Sequence, residues 1–215
     1  MAQDLGVQKA DLAKNAQAVR FDREYLRLAF RSVASDTNER TLIFSLLPKA
    51  VGLGHSLFAN AAKRYALATD GSVAAHAVSP QRLLLALAWF NSVPVDWIAR
   101  QMIQFNVSQT YLYRLPVPQP SDAEILASPD FSQLAKNALL LSLAASWDDF
   151  AELAPLFQIQ PKDVPFTDKA RDQLRADNDR TVARLYGISG PELAHLLRSF
   201  KGMAHKRPEY LALLQ

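Results

Sequence analysis

Three prolines in five residues, Pro116-Val-Pro-Gln-Pro120, divide this chain into two stretches that must fold differently. Proline fixes its own φ and donates no ladder hydrogen bond, so neither a central strand nor a helix runs through such a segment. Before it, the strongest signal is alternation. In Tyr25-Leu-Arg-Leu-Ala-Phe-Arg-Ser-Val33, Leu26, Leu28, Phe30 and Ser32 share one face, and Tyr25, Arg27, Ala29, Arg31 and Val33 share the other. That period of two predicts a strand with a buried apolar face and two arginines presented on the opposite side. Thr41 to Leu47, stopped by Pro48, predicts a second strand after the turn cluster at 35–39, so 25–47 reads as a hairpin or a pair of adjacent strands. Short strands are expected near 56–60 and 73–78, and a further strand over 110–115.

Ser79-Pro80 carries the signature of a helix start, with serine at the N-cap and proline at the first position. The helix is expected to run toward Ile103 and to break near Asn91 because of Pro94. After residue 118 every signal is helical. Thr167 predicts the N-cap of a helix reaching Tyr186 and stopped by Gly187, and Ser189 with Glu192 predicts a capping box. The expected architecture is α+β: a polar leader over 1–20, a small strand-rich module with a long helix over 21–118, and an all-helical C-terminal appendage over 119–215.

Composition narrows the chemistry. The absence of cysteine removes disulfides and thiolate sites and fits a reducing, cytoplasmic setting. The longest apolar run, Leu83 to Phe90, is far short of the about 20 residues of a bilayer span. No dinucleotide fingerprint, phosphate loop or nucleophile elbow occurs. His55, His76, His195 and His205 lack metal-ligand spacing, and adjacent Asp148 and Asp149 diverge on a helix, so neither a catalytic nor a metal site is expected.

Binding is the chemistry that remains. Residues 1–118 hold 13 Lys/Arg against 8 Asp/Glu, whereas 119–215 hold 11 against 13. A basic first half suits a nucleic-acid face. Two polar clusters lie in it: Asn38, Glu39 and Arg40 at a turn behind Arg27 and Arg31, and the amide-rich run from Arg100 to Arg114. Arginine forks match phosphate and guanine edges, and Asn or Gln can pair bidentately with adenine. The same residues would also serve as a solvated loop with ion-paired arginines. Trp89 and Trp97, eight apart, are expected in the core.

Four segments together resemble one family. Arg27-Leu-Ala-Phe-Arg-Ser-Val-Ala-Ser-Asp-Thr-Asn-Glu-Arg-Thr-Leu-Ile43 and the helix Leu87 to Gln101 are the first two. Leu112-Tyr-Arg-Leu-Pro-Val-Pro118 and Leu174 to Leu193 follow in the same order. They resemble the C-terminal target-recognition region of large N6-adenine DNA methyltransferases of Type IIG-like restriction–modification and phage-defence systems, over about residues 21–210. The resemblance implies that the chain recognises double-stranded DNA for a methyltransferase domain or subunit and is not catalytic alone. S-adenosylmethionine would then bind that partner, since the family's Asn-Pro-Pro-Tyr/Phe tetrapeptide has no counterpart here. Arg27, Arg31, Asn38, Arg40, Asn106, Gln109 and Arg114 are the expected DNA contacts, with Asn91, Asp96 and Arg100 tying the helix to the strands. Pro94 and Asn178 depart from the family pattern. A helical scaffold of a defence complex and the remnant of a split gene are the competing readings.

Overall fold

The structure, a computed structural model, describes residues 2–6, 17–35, 38–103 and 105–215. Most of the expected polar leader lies outside these residues; α1 (Ala2–Leu5) is the described part of its start. After a 3₁₀ turn come β1 (Arg27–Arg31), β2 (Phe44–Leu47), β3 (Leu57–Ala59), β4 (Lys63–Leu67) and β5 (Val73–Ala77). β1 is the centre of a three-stranded antiparallel sheet in the order β2-β1-β3, with Phe30 opposite both Phe44 and Phe58. β4 and β5 form a separate hairpin through the turn at Asp70-Gly71, and β4 had no clear signal in the sequence.

The helices are α2 (Pro80–Phe90), α3 (Val93–Arg100), α4 (Gln109–Leu112), α5 (Asp122–Ala127), α6 (Pro129–Ala145) and α7 (Trp147–Phe150). After 3₁₀ turns follow α8 (Asp168–Leu185), α9 (Gly190–Leu197), α10 (Lys201–Lys206) and α11 (Pro208–Leu214). The fold is α+β, and every element beyond residue 119 is helical. Local chemistry sets the boundaries. Ser79 Oγ accepts from the Arg82 amide at 3.3 Å and caps α2, and Thr167 does the same for α8. The long helix breaks at Asn91–Ser92, and Pro94 sits in the first turn of α3, where no amide is needed. Gly187, at φ +72°, closes α8: the Ile188 amide reaches back to the Ala183 carbonyl at 2.9 Å, a left-handed cap that a Cβ would strain.

Two expectations are corrected. Residues 109–112 form the single helical turn α4 instead of a strand: the Tyr111 and Leu112 amides both turn back to the Ser108 carbonyl, while Val33 bridges Asn106. The second strand begins at Phe44 instead of Thr41, because the amides of Thr41 and Leu42 are taken by the Asp96 carboxylate.

The main core draws on both sides of residue 118. Leu28, Phe30 and Leu46 of the sheet, Leu84 and Leu87 of α2, and Leu134 and Leu139 of α6 belong to one buried cluster. Phe30 stacks on Phe44 (5.2 Å between centroids), and Phe44 on Phe90 (4.6 Å), joining sheet to helix. Trp89 is buried, and its Nε1 donates to the Tyr186 hydroxyl at 2.7 Å. That hydroxyl donates in turn to the Pro116 carbonyl, fastening the proline-rich segment to α8. A second cluster, with Val93, Ala183, Leu197, Phe200 and Met203, seats α9 to α11 against α3 and α8. Among the described residues, no helix is long and apolar enough to cross a membrane.

Candidate nucleic-acid interface

The arginines that alternate on β1 do not form an outward face. β1 is flanked on both edges and covered on both sides, so Arg27 is only 6% exposed, and its guanidinium donates to the Val51 carbonyl. Arg31 is half-buried and donates to the Arg40 carbonyl at 3.1 Å. Arg40 turns inward as well: its Nε lies 3.2 Å from Asp96, and it donates to the Asn91 carbonyl. This corrects the expectation of a strand face presenting arginines to a ligand. The alternation was real, but a central strand with two covered faces buries both sets of side chains.

The sink for these charges is Asp96, fully buried in the first turn of α3. Its carboxylate accepts from the amides of Thr41 and Leu42 and faces Arg40 and Arg100. Arg100 also donates to the carbonyls of Asn38 (2.8 Å) and Glu39 (2.9 Å), while its guanidinium lies 4.1 Å from the Phe200 ring centroid. Burial opposes charge on Arg40, yet Asp96 and then Asp179 hold its pKa above the ordinary value. Asp179 of α8 accepts from the Val93 amide at 2.7 Å, placing a carboxyl at the start of α3, and from the Tyr210 hydroxyl. Burial raises the Asp179 carboxyl, and burial followed by the Asp179 charge pushes the Tyr210 hydroxyl well above its ordinary range. Asn91, Asp96 and Arg100 therefore tie α2 and α3 to the strands, as expected. Asp179, Tyr210 and Arg207 complete the network unforeseen, because Asp179 sits in a run of alternating charge that reads as a solvated helix face.

A cleft of about 390 Å³ opens beside β2, walled by Ile43, Ser45 and Leu141. Of the arginines lining it, Arg175 and Arg207 both pair with Asp172, and Arg40 pairs with Asp96. Among the described residues, no three His, Asp or Glu side chains are grouped to hold a metal.

The remaining expected contacts behave differently. Asn38 is half-buried at the turn, its amide bonded to the Ser35 carbonyl. Asn106, Gln109 and Arg114 are all exposed and belong to one segment. That segment is anchored, not loose: the Ala34 amide donates to the Phe105 carbonyl (3.0 Å) and the Val107 amide to the Ser32 carbonyl (2.8 Å). Ile103, Val107 and Leu115 are buried beneath it. Above this footing stand two aromatic side chains that periodicity did not single out, Phe105 at 74% and Tyr113 at 85% exposure. An anchored segment carrying exposed amides, a guanidinium and two aromatic faces can hydrogen-bond and stack on planar ligands.

No protein-family model matches the chain, and no curated protein is similar to it at a significant level. A Type IIL restriction-modification enzyme, MmeI, solved in complex with DNA, is similar in structure, with a TM-score of 0.46 and 15% identity. The similarity covers 85% of this chain and 22% of that enzyme's, so this chain spans under a quarter of its length.

Proposed function

We propose that this chain holds duplex DNA and reads a short site through residues 105–114. In this reading it is the non-catalytic specificity part of a cytoplasmic restriction–modification or phage-defence adenine methyltransferase. The observation that carries it is the sorting of polar side chains. Arg27, Arg31 and Arg40 are consumed within the fold, whereas Asn106, Gln109 and Arg114 stay exposed on one anchored segment beside Phe105 and Tyr113. The amides read base edges and Arg114 positions the backbone, with Asn38 at the neighbouring turn. In this reading S-adenosylmethionine binds a methyltransferase partner, which flips the target adenine out of the stack.

The test is selection from a pool of duplexes with randomised central bases, followed by sequencing of the retained fraction. A short enriched site, flattened by Asn106→Ala with Gln109→Ala, is the expected result. A retained pool with no enriched site would overturn sequence reading, and absence of duplex binding would favour a helical scaffold.

A further inference from the structure

The C-terminal half is acidic on average, yet from Leu193 to Pro208 it contains Arg198, Lys201, Lys206 and Arg207 and no acidic residue. The fold explains why this stretch is not a random fluctuation of surface charge. Leu193, Leu197, Phe200 and Met203 of α9 and α10 point into the second core, leaving Arg198, Lys201, His205 and Lys206 on the outer side, all exposed. Among the described residues, no hydrogen bond or ion pair engages the side chains of Arg198, Lys201 or Lys206. The other arginines of this half, Arg171, Arg175, Arg180, Arg184 and Arg207, each pair with an aspartate, and its remaining cations unpaired among the described residues, Lys136, Lys162 and Lys169, are scattered along the chain instead of gathered within nine residues.

Helix stability accounts for only part of this charge. Arg198 and Lys206 lie at C-terminal ends, where the helix dipole favours a cation. Lys201 opens α10, where the same dipole disfavours it. Neither the dipole nor a carboxylate partner accounts for Lys201, which leaves its charge available beside Arg198 and Lys206. The patch is also joined to the proposed reading segment by a continuous path of contacts. Lys201 follows Phe200, whose ring lies under Arg100; Arg100 holds Asn38, Asn38 bonds Ser35, and the adjacent Ala34 bonds Phe105.

We infer that Arg198, Lys201 and Lys206 form a second DNA-contacting surface, which grips the phosphates of the duplex without regard to sequence. A duplex presents a negative charge about every 1.7 Å of its axis, so exposed cations close together in the chain can meet phosphates in any register. The inference rests on the reading of this chain as a holder of duplex DNA, but not on residues 105–114 as the segment that reads it.

The experiment is binding of the full chain to a labelled duplex of about 30 base pairs, by fluorescence anisotropy, across about 50 to 200 mM salt. Each lost phosphate contact lowers the slope of log affinity on log salt by about 0.9, so Arg198→Gln with Lys201→Gln and Lys206→Gln is expected to lower it by about 2.7. The single Lys201→Gln change is expected to lower it by about 0.9. Weakening should be equal for all sequences, with the far-UV circular dichroism unchanged. An unchanged slope in the triple variant overturns the inference, and leaves an acidic protein as the partner the patch would fit. If the slope falls but Asn106→Ala with Gln109→Ala leaves sequence preference intact, the reading segment is wrong and the patch stands. Wild-type protein that binds no duplex overturns both.

Discussion

The side-chain amide of Asn91 pairs with the backbone of Phe44 as a neighbouring strand would, accepting from its N–H and donating to its C=O, each at 2.9 Å. β2 is an edge strand, and an unpaired edge invites another chain. One residue beyond the end of α2 thus closes part of an edge that no strand covers. Asn91→Ala is expected to leave both groups of Phe44 unpaired and to cost about 1–3 kcal/mol in urea denaturation. Light scattering on heating should show earlier aggregation than in the wild type.

Asp96 carries more weight, because two arginines and two backbone amides converge on a carboxylate with no access to water. Asp96→Ala should cost about 3–5 kcal/mol, since Arg40 and Arg100 are left buried without their countercharge. Combining it with Arg40→Gln should recover part of that loss, read as a coupling in a double-mutant cycle of denaturation midpoints.

Asp179 makes stability depend on pH in a predictable direction. Burial raises its carboxyl in the folded chain, so between the ordinary and the raised value the fold holds a proton that the unfolded chain releases. Stability from this group is full below the ordinary carboxyl range and is lost as pH rises through the raised folded value. Asp172 has the opposite sign. Burial alone would raise it, but bonds from Arg207 and Arg175 outweigh burial and hold it low, so its contribution is lost as pH falls. Asp179→Asn keeps an acceptor for the Val93 amide and should flatten the decline on the rising side. Denaturation midpoints of the two proteins from acid to neutral pH check it: parallel curves would sink the assignment.

The inward placement of the β1 arginines separates stability from binding. Arg27→Gln should cost about 1–3 kcal/mol by unpairing the Val51 carbonyl, with duplex affinity unchanged. Arg114→Gln should leave stability within about 0.5 kcal/mol and lower the salt slope of duplex binding by about 0.9. The two variants need only a melting curve and a salt titration each.

What could be read from the sequence followed from local rules. Ser79-Pro80, Thr167, Gly187 and the Ser189–Glu192 box mark helix ends through contacts within a few residues, and all four stand as expected. The failures lie where distant partners decide. Alternation in 25–33 identified a strand but not that both its faces would be covered, which turned Arg27 from a ligand contact into a core residue. The strand-like pattern at 110–115 gave way to the turn α4, and it is Asn106 that bridges Val33. The acidic average of residues 119–215 concealed Arg198, Lys201 and Lys206, whose common exposure depends on which sides of α9 and α10 meet α3 and α8. Asp179 read as one charge among many until the fold set it over the start of α3.

The bond from Tyr186 to Pro116 has a mechanical consequence. A proline-rich joint between a strand-rich half and a helical half would ordinarily be a hinge. Here it is pinned to the end of α8, and a single core passes beneath it. Residues 105–114 rest on that core, and α9 and α10 rest on the second cluster, which meets the first through α3 and α8. A rod-shaped ligand that touched both would have to bridge the proline-rich joint, whose fastening to α8 then matters to its fit.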